Sequence, residues 1–546
     1  MEHAQSAISP PQSSEEAFSQ IATAPGDLPT PQQQLRLTSQ THQFRHDNTI
    51  VPLAPEPEKP VEVWATSGTG MPLHRAAIFY TTDGSLPTLD SQSLPMTEET
   101  VDWQVSVGYL TRWRAEIPGQ AADTVVRYRI GGWQTGEPDG AEPTVWAHDG
   151  QGFHFADPNA VTVFAYSVET ARSPLPHWMA DAVIYQIFLD RFHPGTEDGR
   201  FTGPSGPRER HGGTIEGVRR ALPYLAELGV TCLWLSPLHP SETYHRYDTI
   251  DFFHVDPELG GNEALVALVN EAHAREMRVL LDFVPSHASW HHPAFLAAQQ
   301  DRTSPTHSWF TFDEWPDKYR SFLGVSTHLP TFNTQDEGAR EYLIGSAVHW
   351  LEEYGVDGFR VDHVIGPSMD FWVAFHRAIT QAKADVVAFG EATDTPDSLR
   401  RYRGRLHGIL DFPLARALRS TFAAGTWGVG ELDSFLDAHE TYMESGPGRV
   451  SFLDNHDMER FLYLAGGDTA RLKLAALCLF TLSATPILYY GTEVGLSHSV
   501  GFGDGLGGDS EARRDMIWDP GEWDRDLLVF FQGLIRLRRD YPALQH

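Results

Sequence analysis

The spacing of apolar residues divides the chain into three textures. Residues 1–60 are rich in Pro, Gln, Ser and Thr, show no period, and end in Pro-Glu-Pro-Glu-Lys-Pro. Too little apolar surface is present there to offset chain entropy, so a disordered leader or linker is expected. From 61 to 168, short segments alternate apolar and polar positions between Gly, Pro and Asp breaks: Val61-Glu-Val-Trp-Ala, Ala76-Ala-Ile-Phe-Tyr, Val101-Asp-Trp-Gln-Val and Val125-Val-Arg-Tyr-Arg-Ile. Period two at this regular spacing predicts an antiparallel all-β sandwich. Its Trp103, Trp113, Trp133 and Trp146 are candidates for stacking on sugars or, as is commoner for Trp, for the sandwich core; no binding site is assigned to them.

From 169 to 546, nearly continuous apolar runs alternate with amphipathic stretches of helical length. Candidate strands are 182–188, 230–235, 278–284, 356–361, 386–389, 408–411, 449–453 and 486–490. Eight buried strands separated by helices predict an α/β fold, a (β/α)8 TIM barrel. An open doubly wound sheet is the competing architecture, but no Gly-rich phosphate loop follows the first strand. The connection after strand 3 is too long for its job. Residues 288–335 carry Trp290, His291, His292, Trp309, Phe310, Trp315, Tyr319 and Phe322, and predict an inserted, substrate-gripping subdomain on the barrel's C-terminal face.

Composition narrows the partners. The 546 residues suffice for two or three cores, and a formal net charge of −32 argues against nucleic acid or an anionic membrane. Cys232 and Cys478 both lie in apolar runs, so no disulfide framework is implied. The N-terminus shows neither a basic n-region nor an apolar h-region, which predicts a cytoplasmic protein. The apolar run 474–490 contains Ser483, Thr485 and Pro486 and reads as a buried helix followed by a strand.

Barrel enzymes place their chemistry at the C-terminal ends of strands. In Val356-Asp-Gly-Phe-Arg-Val-Asp-His-Val364, Arg360 and Asp362 stand two residues apart and share a face. The guanidinium is expected to keep Asp362 ionised with a lowered pKa, as a nucleophile requires; a structural ion pair is the competing reading. The other strand ends supply Asp190 and Arg191, Asp282 and His287, Glu391, and His456 and Asp457. Clustered carboxylates raise one another's pKa, so one of them should stay protonated near neutrality. An ionised acid beside a protonated one is what retaining glycoside cleavage needs. No Cys/His metal spacing and no Ser-centred elbow compete.

These segments resemble the sequence blocks of the α-amylase family of glycoside hydrolases, in the family's order, over about 182–544. The blocks are Asp282-Phe-Val-Pro-Ser-His287, Gly358-Phe-Arg-Val-Asp-His363, Phe389-Gly-Glu391 and Phe452-Leu-Asp-Asn-His-Asp457, supported by Tyr185-Gln-Ile-Phe-Leu-Asp-Arg-Phe192, His245-Arg-Tyr-Asp248 and Pro486-Ile-Leu-Tyr-Tyr-Gly-Thr-Glu493. The resemblance implies cleavage of α-1,4-glucosidic bonds in maltodextrins or related α-glucans through a covalent β-glucosyl-enzyme. It makes Asp362 the nucleophile, Glu391 the general acid and then base, and Asp457 the carboxylate that grips sugar hydroxyls and distorts the ring. It makes Arg360 the partner of Asp362, His287 and His456 hydrogen-bonding groups around the reacting sugar, Tyr247 a stacking face, and Asp248 a supporting residue. His363, beside the nucleophile where a small residue is common, is counted with the substrate-binding set.

Leu329-Pro-Thr-Phe-Asn333, Trp309-Phe-Thr-Phe and Ala512-Arg-Arg-Asp-Met-Ile-Trp518, together with a sandwich ahead of the barrel, resemble neopullulanase and cyclomaltodextrinase-like members. That subgroup implies short or cyclic substrates and a possible homodimer. No cofactor is required; calcium is not supported, because Ser286 replaces the Asn that serves a calcium site in many amylases. Ile365-Gly366 replace the Lys-His of acceptor subsites. The family's C-terminal β-domain is expected to be missing, leaving apolar surface on the last helix. Two further readings use the same residues: a transglycosylase, glucanotransferase or α-glucoside isomerase, and an inactive glycan-binding scaffold.

Overall fold

The computed structural model describes residues 43–104, 108–136, 142–149, 162–168, 175–502 and 508–544. Eight parallel strands close a barrel: β1 (Ile184–Ile187), β2 (Cys232–Leu235), β3 (Arg278–Phe283), β4 (Gly358–Val361), β5 (Val387–Gly390), β6 (Gly408–Leu410), β7 (Gly448–Ser451) and β8 (Thr485–Tyr489). The ring shuts where Ile184 of β1 pairs with Ile487 of β8. Alternation along each strand divides the apolar residues between two cores. Ile184, Cys232, Trp234, Leu280, Val387 and Phe389 fill the barrel. Tyr185, Leu233, Leu281, Phe359 and Ala388 face the helices. Burial on both faces is why these strands read as continuous apolar runs.

Helix α1 (Glu337–Tyr354) starts at Asp336, whose side chain accepts from the Ala339 N–H, and stops at Gly355 in the left-handed conformation at φ 67°. It delivers the chain into β4. Helix α2 (Met369–Ala382), capped by Ser368, leaves β4 for β5. Among the described residues, no helix is long and apolar enough to cross a membrane. In the last helix, α3 (Arg525–Asp540), Leu527, Phe531, Leu534 and Ile535 are buried while Val529 and Leu537 are exposed.

Between β3 and α1 the chain forms a short helix (Pro293–Gln300) and two small hairpins, Phe312–Glu314 with Lys318–Tyr319 and Ser321–Phe322 with Ser326–Pro330. Most aromatics of this subdomain serve its own core. Phe295 packs on Phe310 (5.0 Å between centroids) and Tyr319 (4.7 Å). Trp290 is the exception, at 37% exposed.

The N-terminal domain is antiparallel. Its longest strand, Gln92–Gln104, belongs to two sheets: Gln92–Met96 pairs with 76–80, and 97–104 pairs with 108–114. Ile78, Tyr80, Tyr128 and Ile130 meet Val63, Ala65, Trp113 and Ala115 in one core between the sheets. Trp113 and Trp133 are buried, the former donating Nε1–H to Ser67 Oγ at 3.0 Å, whereas Trp103 is 62% exposed.

The leader expected over 1–60 ends earlier than its composition suggests. Phe44–Arg45 and Ile50–Val51 pair with the strand Val61–Gly68, and Phe44 and Ile50 join the sandwich core. Two-residue strands are too short to show a period; residues 1–42 lie outside the described residues. The sandwich sits on α1 and α2. Buried Arg127 reaches Asp370 (Nη2 to Oδ2, 2.7 Å) and Glu337 (3.0 Å), and Gln335 Oε1 accepts the Val163 N–H at 3.0 Å.

Candidate active site

The parallel ladder continues past the strand ends and aims the acids. Asp362 N–H donates to Phe283 O, Glu391 N–H to Val361 O (both 2.8 Å), and Val364 N–H to Glu391 O (3.0 Å). Arg360 thereby lies among three carboxyls, from β3, β4 and β5. Its Nη1 donates to Asp282 Oδ1 and to Asp362 Oδ1, each at 2.8 Å, and its Nη2 lies 2.8 Å from Glu391 Oε2. Asp282 Oδ2 also accepts from Tyr247 Oη (2.9 Å) and Trp234 Nε1 (3.2 Å). Glu391 Oε2 receives the backbone N–H of His363 at 3.3 Å. That residue takes a left-handed backbone, φ 43°, uncommon for a side chain of its size.

One guanidinium against three carboxylates would leave a formal charge of −2 if all ionised, in a site nearly closed to solvent. The lowered pKa expected for Asp362 is therefore reversed. Burial pushes Asp362 up to about 7, with Arg360 opposing and Asp282 adding to the rise. Burial likewise raises Glu391 to about 7 and Asp282 to about 6, against the pull of Arg360. The cation is shared too widely to win, and the cluster retains a proton near neutrality.

Asp457, after β7, behaves oppositely. Burial pushes it up, but His456 Nε2 at 2.9 Å and Arg513 Nη2 at 2.7 Å from its oxygens hold it well below the usual carboxylate range. His456 Nδ1 lies 2.7 Å from Gln186 Nε2, and its Nε2 lies 2.7 Å from Tyr247 Oη. Its ring is parallel to that of Tyr247 at 5.6 Å. Burial lowers both His456 and His287, the latter to about 3.

The structure thus unites Arg360, Asp362, Glu391, Asp457, His456 and Tyr247. His287 is adjacent: Nε2 lies 3.2 Å from Tyr247 O, Nδ1 2.6 Å from Ser286 Oγ, and its ring packs on Phe322, which also meets His363 (4.6 Å each). Asp248 stands apart. It is buried, its carboxylate accepts the N–H groups of Glu242 (2.9 Å) and Thr243 (3.2 Å) and the Thr243 hydroxyl, and it shapes the loop after β2. Asp190 does the same for another loop, accepting from His211 N–H and Gly212 N–H. Arg513 went unassigned in the sequence, although its segment was singled out; Trp234 reads there as strand core. Among the described residues, no group of three or more His, Cys, Asp or Glu is placed to hold a metal ion.

A parallel barrel with an arginine-bridged carboxyl cluster at the C-terminal ends of β3, β4 and β5, and a fourth acid after β7, defines an acid–base enzyme of the glycosidase type. Residues 186–541 match the alpha amylase catalytic domain, and the chain belongs to the alpha-amylase family of glycoside hydrolases. It is 35% identical over 382 residues to alpha-amylase 2 of Dictyoglomus thermophilum, across 69% of this chain and 66% of that one. It is 33% identical over 401 residues to neopullulanase 2 of Thermoactinomyces vulgaris, across 70% and 66%. A solved cyclomaltodextrinase superposes with a TM-score of 0.64 at 27% identity, covering 93% of this chain and 86% of the other. The chain spans just under two thirds of the length of the two sequence relatives.

Proposed function

We propose that this chain hydrolyses α-1,4-glucosidic bonds of maltodextrins or cyclic maltodextrins, in the cytoplasm, with retention of configuration. One observation carries the reading: Asp362 and Glu391 are gripped by the two terminal nitrogens of a single guanidinium. That fork favours the short carboxyl separation of retaining enzymes, about 5–5.5 Å, over the about 6.5–9.5 Å that admits a water. The names of the relatives, an amylase, a neopullulanase and a cyclomaltodextrinase, support the substrate class.

In this reading Glu391 holds the retained proton and gives it to the leaving glycosidic oxygen, while Asp362 Oδ attacks the anomeric carbon. The covalent glucosyl-enzyme is then opened by water, whose proton returns to Glu391 as Asp362 leaves. Asp457, always ionised, grips sugar hydroxyls. Tyr247 gives a ring face, and His287, His456 and His363 border the reacting sugar. The reaction as written uses carboxyl groups alone and needs no cofactor. Water access on the leaving-group side decides between hydrolysis and transfer.

Product analysis on maltotriose, β-cyclodextrin, pullulan and starch, beside Glu391→Gln, tests this. Maltose or panose should appear with the wild-type protein and fall by roughly 10²–10⁴-fold in the variant. No release from any of the four by folded wild-type protein would overturn the reading, and transfer products with added glucose would move it to a transglycosylase.

A further inference from the structure

Three residues after His287 the chain raises Trp290 at the start of the inserted subdomain, and the reaction proposed above gives this side chain no specific part. Its position is fixed on three sides. The backbone pairs with the inserted hairpin, Trp290 N–H to His328 O at 2.9 Å and Ala288 N–H to Pro330 O at 3.1 Å. The indole Nε1–H donates to Glu242 Oε2 at 3.1 Å, and the same oxygen lies 2.9 Å from His291 Nδ1. The His328 ring meets the indole edge-on at 4.1 Å. The indole is still 37% exposed, and Glu242 and His291 are about half exposed, at 48% and 47%.

A large apolar ring held in one orientation in water, crowned by an exposed carboxylate and two imidazoles, matches a pyranose: apolar C–H face against the ring, hydroxyls toward the polar rim. The rigidity matters, because a pre-ordered side chain loses little entropy on binding. The platform is also tied to the centre. Glu242 N–H donates to Asp248 Oδ2 at 2.9 Å, and Asp248 directly follows Tyr247, whose hydroxyl bonds Asp282.

We propose that Trp290, with Glu242, His291 and His328, forms a distal subsite for a glucosyl unit beyond the one bordered by Tyr247. The inference rests on the α-glucan reading and adds to it: the enzyme takes chains longer than maltotriose with extra affinity, and Trp290 sets that preference.

The test uses the full chain carrying Glu391→Gln, which leaves substrate intact. Maltotriose and maltohexaose are titrated by calorimetry with and without Trp290→Ala. Maltohexaose affinity should fall about tenfold while maltotriose changes less than about twofold. Trp290→Phe, which keeps a stacking face and guards against a misfolded variant, should retain most of the affinity. Equal weakening of both ligands, or no weakening of either, would overturn the subsite. Failure of the Glu391→Gln protein to bind either glucan would instead sink the functional reading beneath it.

Discussion

The two ends of β4 hold the same kinds of group in opposite proportion. At the N-terminal end, the buried Asp357 carboxylate meets two cations, Arg278 and Lys383, together with a histidine and a backbone N–H, and only the half-exposed Asp385 shares one of the cations. Asp357, fully buried, accepts from Arg278 Nη1 (2.9 Å), Lys383 Nζ (2.7 Å) and the Val279 N–H (2.8 Å), with His273 Nε2 at 2.7 Å. Burial pushes this acid up, but those partners outweigh burial and hold it well below the ordinary 3.8. At the C-terminal end, five residues on, one cation meets three carboxylates, and Asp362 rises to about 7. Surplus donors make an acid an anchor; surplus acids keep a proton in reserve. The second arrangement costs stability and supports chemistry, so substitutions at the two ends should separate the two properties.

The largest effect is expected at the crowded end. Asp362→Asn should lower kcat/KM by about ten-thousandfold or more, since the amide cannot form the covalent intermediate. The folded state should not suffer. A carboxyl with a raised folded pKa costs stability that grows as pH rises from its unfolded value of 3.8 toward about 7. Denaturation at pH 8 should therefore show the variant as stable as wild type or more so, with the gap closing by pH 4. A variant clearly less stable at pH 8 would break the comparison.

At the other end the outcomes invert. Asp357→Asn should cost about 3 kcal/mol, because the Arg278 and Lys383 cations are left around a buried neutral amide, while kcat at a permissive temperature stays near wild type. Here the folded pKa is depressed, so the contribution is fully present above the unfolded value of 3.8 and fades as pH falls from there through the depressed folded value. Denaturant midpoints at pH 7 and pH 3 measure this directly. A loss as large at pH 3 would mean that packing, not charge, sets the effect.

How much of this contrast was legible beforehand depended on reach along the chain. The barrel strands were readable because burial on both faces leaves an apolar run that no loop can imitate, and Asp362, Glu391 and Asp457 stood out as charges ending such runs. The pKa direction was not readable, because Arg360 beside Asp362 suggests a simple pair; only the register that brings Asp282 and Glu391 alongside shows the cation divided three ways. Arg513 approaches Asp457 across 56 residues from an irregular loop, where no period points to it. Trp234, which donates to Asp282, looks like a core aromatic until the barrel closes, and the resemblance that marks Tyr247 as a stacking face does not show its bond to the same carboxylate. Phe44 and Ile50 were hidden by the Pro- and Gln-rich stretch around them.

Asp282→Asn tests the sharing itself, with a smaller effect. Removing one negative charge should let the remaining carboxyls lose protons more easily, moving the alkaline limb of kcat/KM down by up to about one pH unit. Tyr247 and Trp234 can still donate to the amide oxygen, so the geometry should survive. An alkaline limb that does not move would mean that Asp282 adds nothing to the rise at Glu391.

The smallest effect should come from thinning the cations around Asp357. Lys383, directly after α2, also donates its Nζ–H to the carbonyl of Val356 at 2.9 Å, so it ties the end of α2 to the segment that enters β4. Its side chain is 22% exposed, and its charge is one of two on Asp357. Lys383→Met leaves Arg278 and the Val279 N–H on the carboxylate, with His273 still beside it, and the unbranched thioether side chain still covers the same apolar surface. The loss should be below about 1 kcal/mol, within the range of partly exposed ion pairs, and should shrink further in high salt. Redundancy is the point at issue: an anchor with two cations, a histidine and a backbone N–H tolerates losing one partner, whereas Asp282, Asp362 and Glu391 at the other end share the single guanidinium of Arg360. Denaturation of Lys383→Met and Asp357→Asn in low and high salt compares one cation with the whole set, and equal losses would show that Lys383 alone carries the anchor.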